Sequence, residues 1–179
     1  SVNNSSPDDE RREMPLSTQG NFQDQLLAQL YLLDFDDREY HIAEQLVGSI
    51  DDDGYLRREL TAIVDDLAFS QNITTTKEEL EHILLAIQTL DPPGIGARSL
   101  QECLELQLDR KEQKRDSVLL AKKILNTQFE EFSKKHYEKI SRDLEISDEQ
   151  LKKAIDEILK LNPRPGSAAN QGQRSIEHI

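Results

Sequence analysis

Three aspartates in a row before a glycine, residues 51–54, form the pattern most typical of a cation site in this sequence. Carboxylate oxygens are good calcium ligands, and the helix–loop–helix calcium loop has glycine at its sixth position and a bidentate glutamate at its twelfth. With Gly54 in the glycine position, the last position falls on Leu60, which has no ligand atom. The pattern therefore favours a solvated turn in which Gly54 takes positive φ and the aspartates cap backbone N–H groups. The three carboxylates beside Tyr55 also offer an acidic surface to a basic partner.

Two glycines in the segment Gly94-Ile95-Gly96 suggest a loop that could hold a phosphate. A dinucleotide-binding fingerprint would require a third glycine at position 99, which is Ser99, and a strand before the loop. The chain also has no Gly-Lys-Ser or Gly-Lys-Thr segment. These glycines instead predict a sharp reversal of the chain, which Pro92 and Pro93 stiffen.

Other residues that could bind a metal or attack a substrate are too scattered for a site. The four histidines (His41, His82, His136 and His178) lie far apart and without metal-ligand spacing. A single cysteine, Cys103, cannot form a disulfide framework and is expected in an apolar, buried position. We therefore predict no catalytic, metal or cofactor site and no enzyme activity.

The elements that position these residues are predicted to be helices. Glycine and proline are sparse, 7 and 6 of 179 residues, and apolar residues recur at helical spacing from Phe22 onward. Asp36, Thr76, Ser99 and Ser147 are suited to helix N-caps. No stretch approaches the roughly 18 apolar residues that span a bilayer, and no secretion signal is evident, so a cytoplasmic protein without membrane contact is expected.

An internal repeat indicates two helical subdomains in tandem. With an offset of 71 residues, Thr76 aligns with Ser147 and the segment Leu90–Pro92 aligns with Leu161–Pro163. The expected fold is all-α, with two small helical bundles, of which the second resembles a helix-turn-helix. The expected boundaries are an acidic disordered linker at 1–21, subdomains at 22–110 and 111–167, and a linker at 168–179 towards a DNA-binding region outside this chain.

The uneven distribution of charge distinguishes two candidate functions, docking on a protein and binding to DNA. Residues 21–110 contain 19 acidic and 6 basic side chains, whereas residues 111–179 contain 12 acidic and 14 basic ones. The first half therefore repels phosphate and attracts basic proteins. A helix-turn-helix DNA-binding protein is the alternative function. Such proteins typically neutralise about 6–10 phosphates, but the expected recognition helix, Asp148–Leu161, begins with two carboxylates. Phosphate contacts by Lys-rich faces (Lys122, Lys123, Lys134, Lys135 and Lys139) remain an open question.

Three motifs resemble one family. The segment LDPPGIGARSL at 90–100 is similar to a motif of the sigma-54 (sigma-N) bacterial transcription factors, and IDDDGYL at 50–56 and LNPRPGS at 161–167 resemble two more, in the same order. Together they are similar to the core-binding domain of that family.

The resemblance implies a non-catalytic module that docks on core RNA polymerase, at its beta flap and beta-prime subunits, to form the holoenzyme for promoter-specific transcription initiation. It further implies that an activator ATPase and promoter DNA are contacted through regions outside this chain, and that the isolated module is a monomer. The candidate polymerase-contact residues are Asp51, Asp52, Asp53, Tyr55, Asp91, Pro92, Gly94, Gly96, Arg98, Asn162 and Arg164.

Overall fold

The computed structural model describes residues 22–167, which are helical except for their connections. The expected linkers at 1–21 and 168–179 lie outside the described residues. The helices are α1 (22–30), α2 (Asp37–Gly48), α3 (Leu60–Gln71), α4 (Lys77–Ile87), α5 (Leu100–Asp109), α6 (Asp116–Thr127), α7 (Phe129–Ser133), α8 (Tyr137–Leu144) and α9 (Asp148–Leu159). The all-α class is confirmed, since β pairing within 22–167 is limited to isolated bridge residues, among them the antiparallel bridge between Ile50 and Leu56.

All four residues predicted as N-caps do cap the first turn of a helix. The side chains of Asp36, Thr76, Ser99 and Ser147 each accept the backbone N–H three residues further on. The predicted capping box at Thr76 is only half made, because the Glu79 carboxylate accepts hydrogen bonds from Arg38 and Thr75. Short polar side chains thus satisfy the N–H groups that a helix start leaves unbonded.

The first compact unit, here called unit 1, comprises residues 22–96 and 164–167 of the described chain. Its core is formed by the apolar faces of α1–α4, and α4 packs against both α2 and α3. The side chains at the centre of this core are Leu26, Leu30, Ile42, Leu46, Ile63, Leu67, Leu80, Ile83, Leu84 and Ile87, all fully buried.

The second compact unit, unit 2, runs from Ala97 to Pro163 and contains α5–α9. The division therefore falls before α5, whereas the sequence placed it at 110/111. The physical reason is that Leu104 and Leu108 of α5 pack with α6 and α9 in one core. The charged stretch between Asp109 and Asp116, expected to join the subdomains, is a connection inside unit 2.

Each unit contains one of the two helix pairs aligned by the internal repeat, α3–α4 in unit 1 and α8–α9 in unit 2. In unit 1, α3 ends at Asn72 in the left-handed region (φ 56°), and in unit 2, α8 ends at Glu145 in the same region (φ 56°). The connection between α8 and α9, residues 145–147, has the length of a helix-turn-helix turn. Within 22–167 every helix is too short or too polar to cross a bilayer.

Candidate functional site: the junction of three motifs

The acidic turn, residues Asp51 to Tyr55, is closed by its own first carboxylate. Asp51 Oδ1 accepts the backbone N–H groups of Asp53 and Tyr55, each at 3.0 Å, and Asp51 Oδ2 accepts from Arg57 Nε at 2.7 Å. The Asp51 carbonyl accepts the Gly54 N–H at 2.9 Å, and Gly54 takes φ +100°, as the sequence predicted. No group of metal-ligating side chains forms in the described part of the chain. The arrangement builds a tight turn rather than a calcium loop.

The pKa of Asp51 reflects this role. Partial burial of the carboxyl opposes its ionisation, but the hydrogen bonds from the Tyr55 N–H and the Arg57 guanidinium outweigh burial and hold the pKa of Asp51 below its usual value. Arg57 also lies over the Tyr55 ring, with its central carbon 4.6 Å from the ring centroid. The Asp51 carboxylate is thus committed to internal partners, whereas Asp52 is exposed to solvent.

The second motif forms a sharp corner directly after α4. The Asp91–Pro92 peptide is cis, and Gly94 and Gly96 take φ values of +94° and +79°. The Gln88 Nε2 group donates to the Gly96 carbonyl at 3.0 Å. Positive φ costs a residue with a Cβ roughly 1–2 kcal/mol, so the backbone itself requires the two glycines.

All three motifs meet at one place in unit 1, which we call the junction: Asp51–Tyr55, Asp91–Gly96 and Arg164–Ser167. The Gly96 N–H donates to the Gly54 carbonyl at 2.8 Å, and the Gly166 N–H donates to the Asp53 carbonyl at 2.9 Å. The Ser167 hydroxyl donates to Asp53 Oδ1 at 3.1 Å. Residues separated by more than 110 positions therefore close one backbone hydrogen-bond network.

The junction is too closely packed for side chains at two of its glycines. A Cβ on Gly166 would lie 2.9 Å from Asp53 C and from Gly54 N, and nearer still to the Asp52 carbonyl oxygen. A Cβ on Gly54 would lie 2.9 Å from Gly166 N and 3.0 Å from Pro165 Cγ. These neighbours are mostly backbone atoms, which cannot rotate away. Close approach, as well as positive φ, explains the glycines.

In each copy of the repeat, a glutamine side chain makes two hydrogen bonds to the backbone of the same aligned position, Asp91 or Asn162. Gln29 of α1 accepts the Asp91 N–H at 2.8 Å and donates to the Asp91 carbonyl at 2.9 Å. In unit 2, Gln107 of α5 accepts the Asn162 N–H at 2.8 Å and donates to the Asn162 carbonyl at 2.6 Å. Asp91 and Asn162 are the residues that the 71-residue offset superimposes. The repeat therefore extends to a side-chain contact that the sequence analysis did not include, because an amide on a helix gives no distinctive pattern.

The candidate polymerase-contact residues differ in how far they are exposed to solvent. Tyr55, Gly94 and Gly96 are buried, and Asp51, Asp53, Pro92 and Asn162 are half-buried. The exposed candidates, whose side chains a partner can reach most easily, are Asp52, Asp91, Arg98 and Arg164. Arg98 lies in unit 2, where it pairs with Glu102 at 3.1 Å. The structure gathers the unit 1 candidates around the junction and gives most of them a structural task.

The two units differ strongly in charge. Residues 22–96 contain 16 acidic and 4 basic side chains, whereas residues 97–163 contain 14 of each. Three of the four bases in 22–96 pair inside unit 1: Arg38 with Glu79, Arg57 with Asp51, and Arg58 with Asp66. The hydrogen bond from Arg38, followed by that from Thr75, lowers the pKa of Glu79. Unit 1 therefore presents a strongly negative surface to any partner.

Helix α9, which would contact the bases in a helix-turn-helix protein, begins with residues that are unsuited to DNA binding. Asp148, Glu149 and Gln150, the first residues of α9, are exposed. The Glu149 carboxylate lies at the helix end that a helix-turn-helix protein directs at base edges, and it would be repelled by phosphates there. The Lys-rich faces of unit 2 are interleaved with carboxylates, as in the pairs Lys139–Asp143 and Lys134–Glu130.

Comparison with known proteins gives one consistent result. A family model described as the core binding domain of the sigma-54 factor matches residues 12–179. The RNA polymerase sigma-54 factor of Acidithiobacillus ferridurans is 35% identical over 174 residues, which is 97% of this chain and 34% of that protein. Those of Rhizobium etli and Bacillus subtilis are 36% and 31% identical, over 73% and 83% of this chain and 23% and 32% of the relatives. The chain thus spans about a third or less of the length of these relatives.

Proposed function

Because this chain belongs to the family of sigma-54 core-binding domains, we propose that it docks on the core of bacterial RNA polymerase as part of a sigma factor. The family match over residues 12–179 is the observation that carries this proposal. Its physical support is unit 1, whose negative surface complements a basic protein surface and would accelerate encounter with one. The proposed module has no catalytic role, acts in the cytoplasm and is a monomer in isolation.

We assign only the docking step to this chain. The beta flap and the beta-prime subunit are the proposed contact points on the polymerase. We propose that promoter recognition, and initiation that depends on an activator ATPase, belong to other segments of a sigma-54 factor. The holoenzyme that results from docking is the proposed setting for those activities.

A binding titration with purified core polymerase tests the proposal. The chain, labelled with a fluorophore, is expected to bind core polymerase with an affinity that falls as salt rises, because salt screens exposed charges. Duplex DNA at the same concentrations is expected to give no comparable binding. Tight DNA binding with a steep salt dependence, and none to core polymerase, would favour the helix-turn-helix alternative instead.

Charge reversal separates the docking role of the acidic turn from its structural role. Asp52→Lys changes the exposed aspartate and is expected to slow association with core polymerase while helical circular dichroism is retained. Asp51→Lys is expected to disrupt the turn, because Asp51 accepts two backbone N–H groups. Glu149→Lys, an exposed reversal in unit 2, serves as the control. Equal slowing by Asp52→Lys and Glu149→Lys would argue against steering by unit 1.

A further inference from the structure

The outer face of helix α3 carries a single charged residue and a large exposed aromatic ring. Its exposed residues are Thr61, Asp65, Ala68, Phe69, Ser70 and Gln71, of which one is charged. Its inner face, with Leu60, Ile63 and Leu67, is in the core of unit 1. A surface helix normally turns a charged or polar face to water, and a helix with apolar residues on both sides is normally covered on both sides.

Phe69 is the one large apolar residue on this otherwise mostly polar face. It follows the buried Leu67 by two positions, which corresponds to about 200° around a helix and places it opposite the core. Its side chain is 90% exposed, the highest value among the large exposed hydrophobic residues of the described chain. Neither the core of unit 1 nor another ring of the described residues covers it. Large exposed aromatic side chains are frequent anchors of protein interfaces.

The charges around Phe69 indicate what kind of surface would cover it. Asp65 lies one helical turn before Phe69 and is exposed, and α3 contains no lysine or arginine. The base nearest to the start of α3 in sequence, Arg58, is paired with Asp66 through two hydrogen bonds of 3.0 Å, and Lys77 begins the next helix, α4. A matching surface would hold an apolar pocket bordered by lysine or arginine. Such a surface belongs to a protein, since phosphate would be repelled by Asp65.

We propose that the outer face of α3 is the surface of unit 1 that docks on core polymerase, with Phe69 inserted in an apolar pocket and Asp65 facing a basic rim. This inference deepens the proposed function and rests on it. It also explains why α3 lacks the charged outer face that α2 and α4 possess, with Asp37 and Arg38 exposed on α2 and Lys77 and Glu78 on α4.

Alanine substitution at two exposed apolar positions of unit 1 tests the proposal. Phe69→Ala is expected to raise the dissociation constant for core polymerase by about 30-fold, as an anchor residue does. Leu32→Ala is the matched control, because Leu32 is 85% exposed in the connection between α1 and α2. Its dissociation constant is expected to change by less than about twofold, as for a residue outside an interface. Both variants should keep the thermal midpoint of the original chain, since neither side chain is buried.

The possible outcomes distinguish the proposed docking function from the proposed α3 surface. If the original chain binds core polymerase and Phe69→Ala binds equally well, the α3 surface is refuted while the docking function stands. Equal losses for Phe69→Ala and Leu32→Ala would also refute it, because binding would then follow exposed apolar area in general. A lower thermal midpoint for Phe69→Ala would show that this chain itself covers the ring, which overturns the proposal. Failure of the original chain to bind would remove the proposed function, and this inference with it.

Discussion

Substitution of Gly166 by alanine is the most direct test of the junction. The new Cβ would lie 2.9 Å from Asp53 C and Gly54 N, and closer still to the carbonyl oxygen of Asp52. Because all three neighbours are backbone atoms, the segment 164–167 must move away from the acidic turn. Overpacking of this kind costs about 1–3 kcal/mol, and loss of the hydrogen bond from the Gly166 N–H to Asp53 adds about 1 kcal/mol. We therefore expect unit 1 to lose about 2–4 kcal/mol of unfolding free energy.

Gly48→Ala provides a matched control for this substitution. A Cβ on Gly48 meets no atom within 4 Å, and Gly48 is the last residue of α2. Alanine there is expected to be neutral or to stabilise unit 1 by up to about 1 kcal/mol, through its higher helix propensity. The two variants therefore make the same chemical change and differ only in the space that surrounds it.

Urea denaturation followed by far-ultraviolet circular dichroism measures both variants. With a denaturant dependence of about 1–2 kcal/mol per molar urea, a loss of 2 kcal/mol lowers the midpoint for unit 1 by roughly 1–2 M. Amide hydrogen exchange locates the loss, which should appear in α2–α4 and not in α6 or α9. Equal urea midpoints for Gly166→Ala and Gly48→Ala would refute the reasoning, because they would show that the segment 164–167 does not pack on the acidic turn in solution.

Four further substitutions test other contacts in the two units. Gly94→Val, at φ +94°, should reduce the unfolding free energy by about 1–3 kcal/mol, and an unchanged thermal midpoint would contradict the backbone assignment. Gln29→Ala removes the two hydrogen bonds with Asp91, and Gln107→Ala removes the two with Asn162 together with those to Cys103, so each should cost about 2 kcal/mol or more. Hydrogen exchange should place the loss in unit 1 for Gln29 and in unit 2 for Gln107, and a loss in the opposite unit would rule out these contacts. The folded-state pKa of Asp51 is lowered, so its ionisation stabilises unit 1 at neutral pH, and this contribution is lost as pH falls below about 4. Asp51→Asn should therefore flatten the decline of the urea midpoint between neutral and acidic pH, and an unaltered decline would show that Asp51 makes no such contribution.

Local rules in the sequence were sufficient for the secondary structure. The caps at Asp36 and Ser147, and the positive φ of Gly54, follow from interactions within a few residues, so they can be predicted without a fold. One exception is the stretch from Val118 to Phe132. Its apolar spacing would allow a single helix, but the backbone leaves helical geometry at Gln128, between α6 and α7. No proline or glycine marks that break, so the pattern gave no sign of it.

The subdomain boundary depended on packing between distant segments. The apolar residues of α5 have helical spacing and are compatible with a core on either side. The sequence therefore assigned α5 to the first subdomain, whereas Leu104 and Leu108 pack with α6 and α9 in unit 2. A periodic pattern shows that a helix has an apolar face, but it does not show which other helix will cover that face.

The sequence by itself determined the helical class, the family, the internal repeat and the unequal charge, because each is written in residue types and spacings along the chain. Only the tertiary structure decided which motif residues are exposed to solvent. The Asp51 carboxylate and the Gly166 N–H find their roles in contacts within the junction, and the latter joins residues 113 positions apart. Burial and close approach depend on the three-dimensional structure and not on the spacing of residues along the sequence. The division between structural and exposed aspartates, and the exposure of the Phe69 ring, therefore became visible only in the fold.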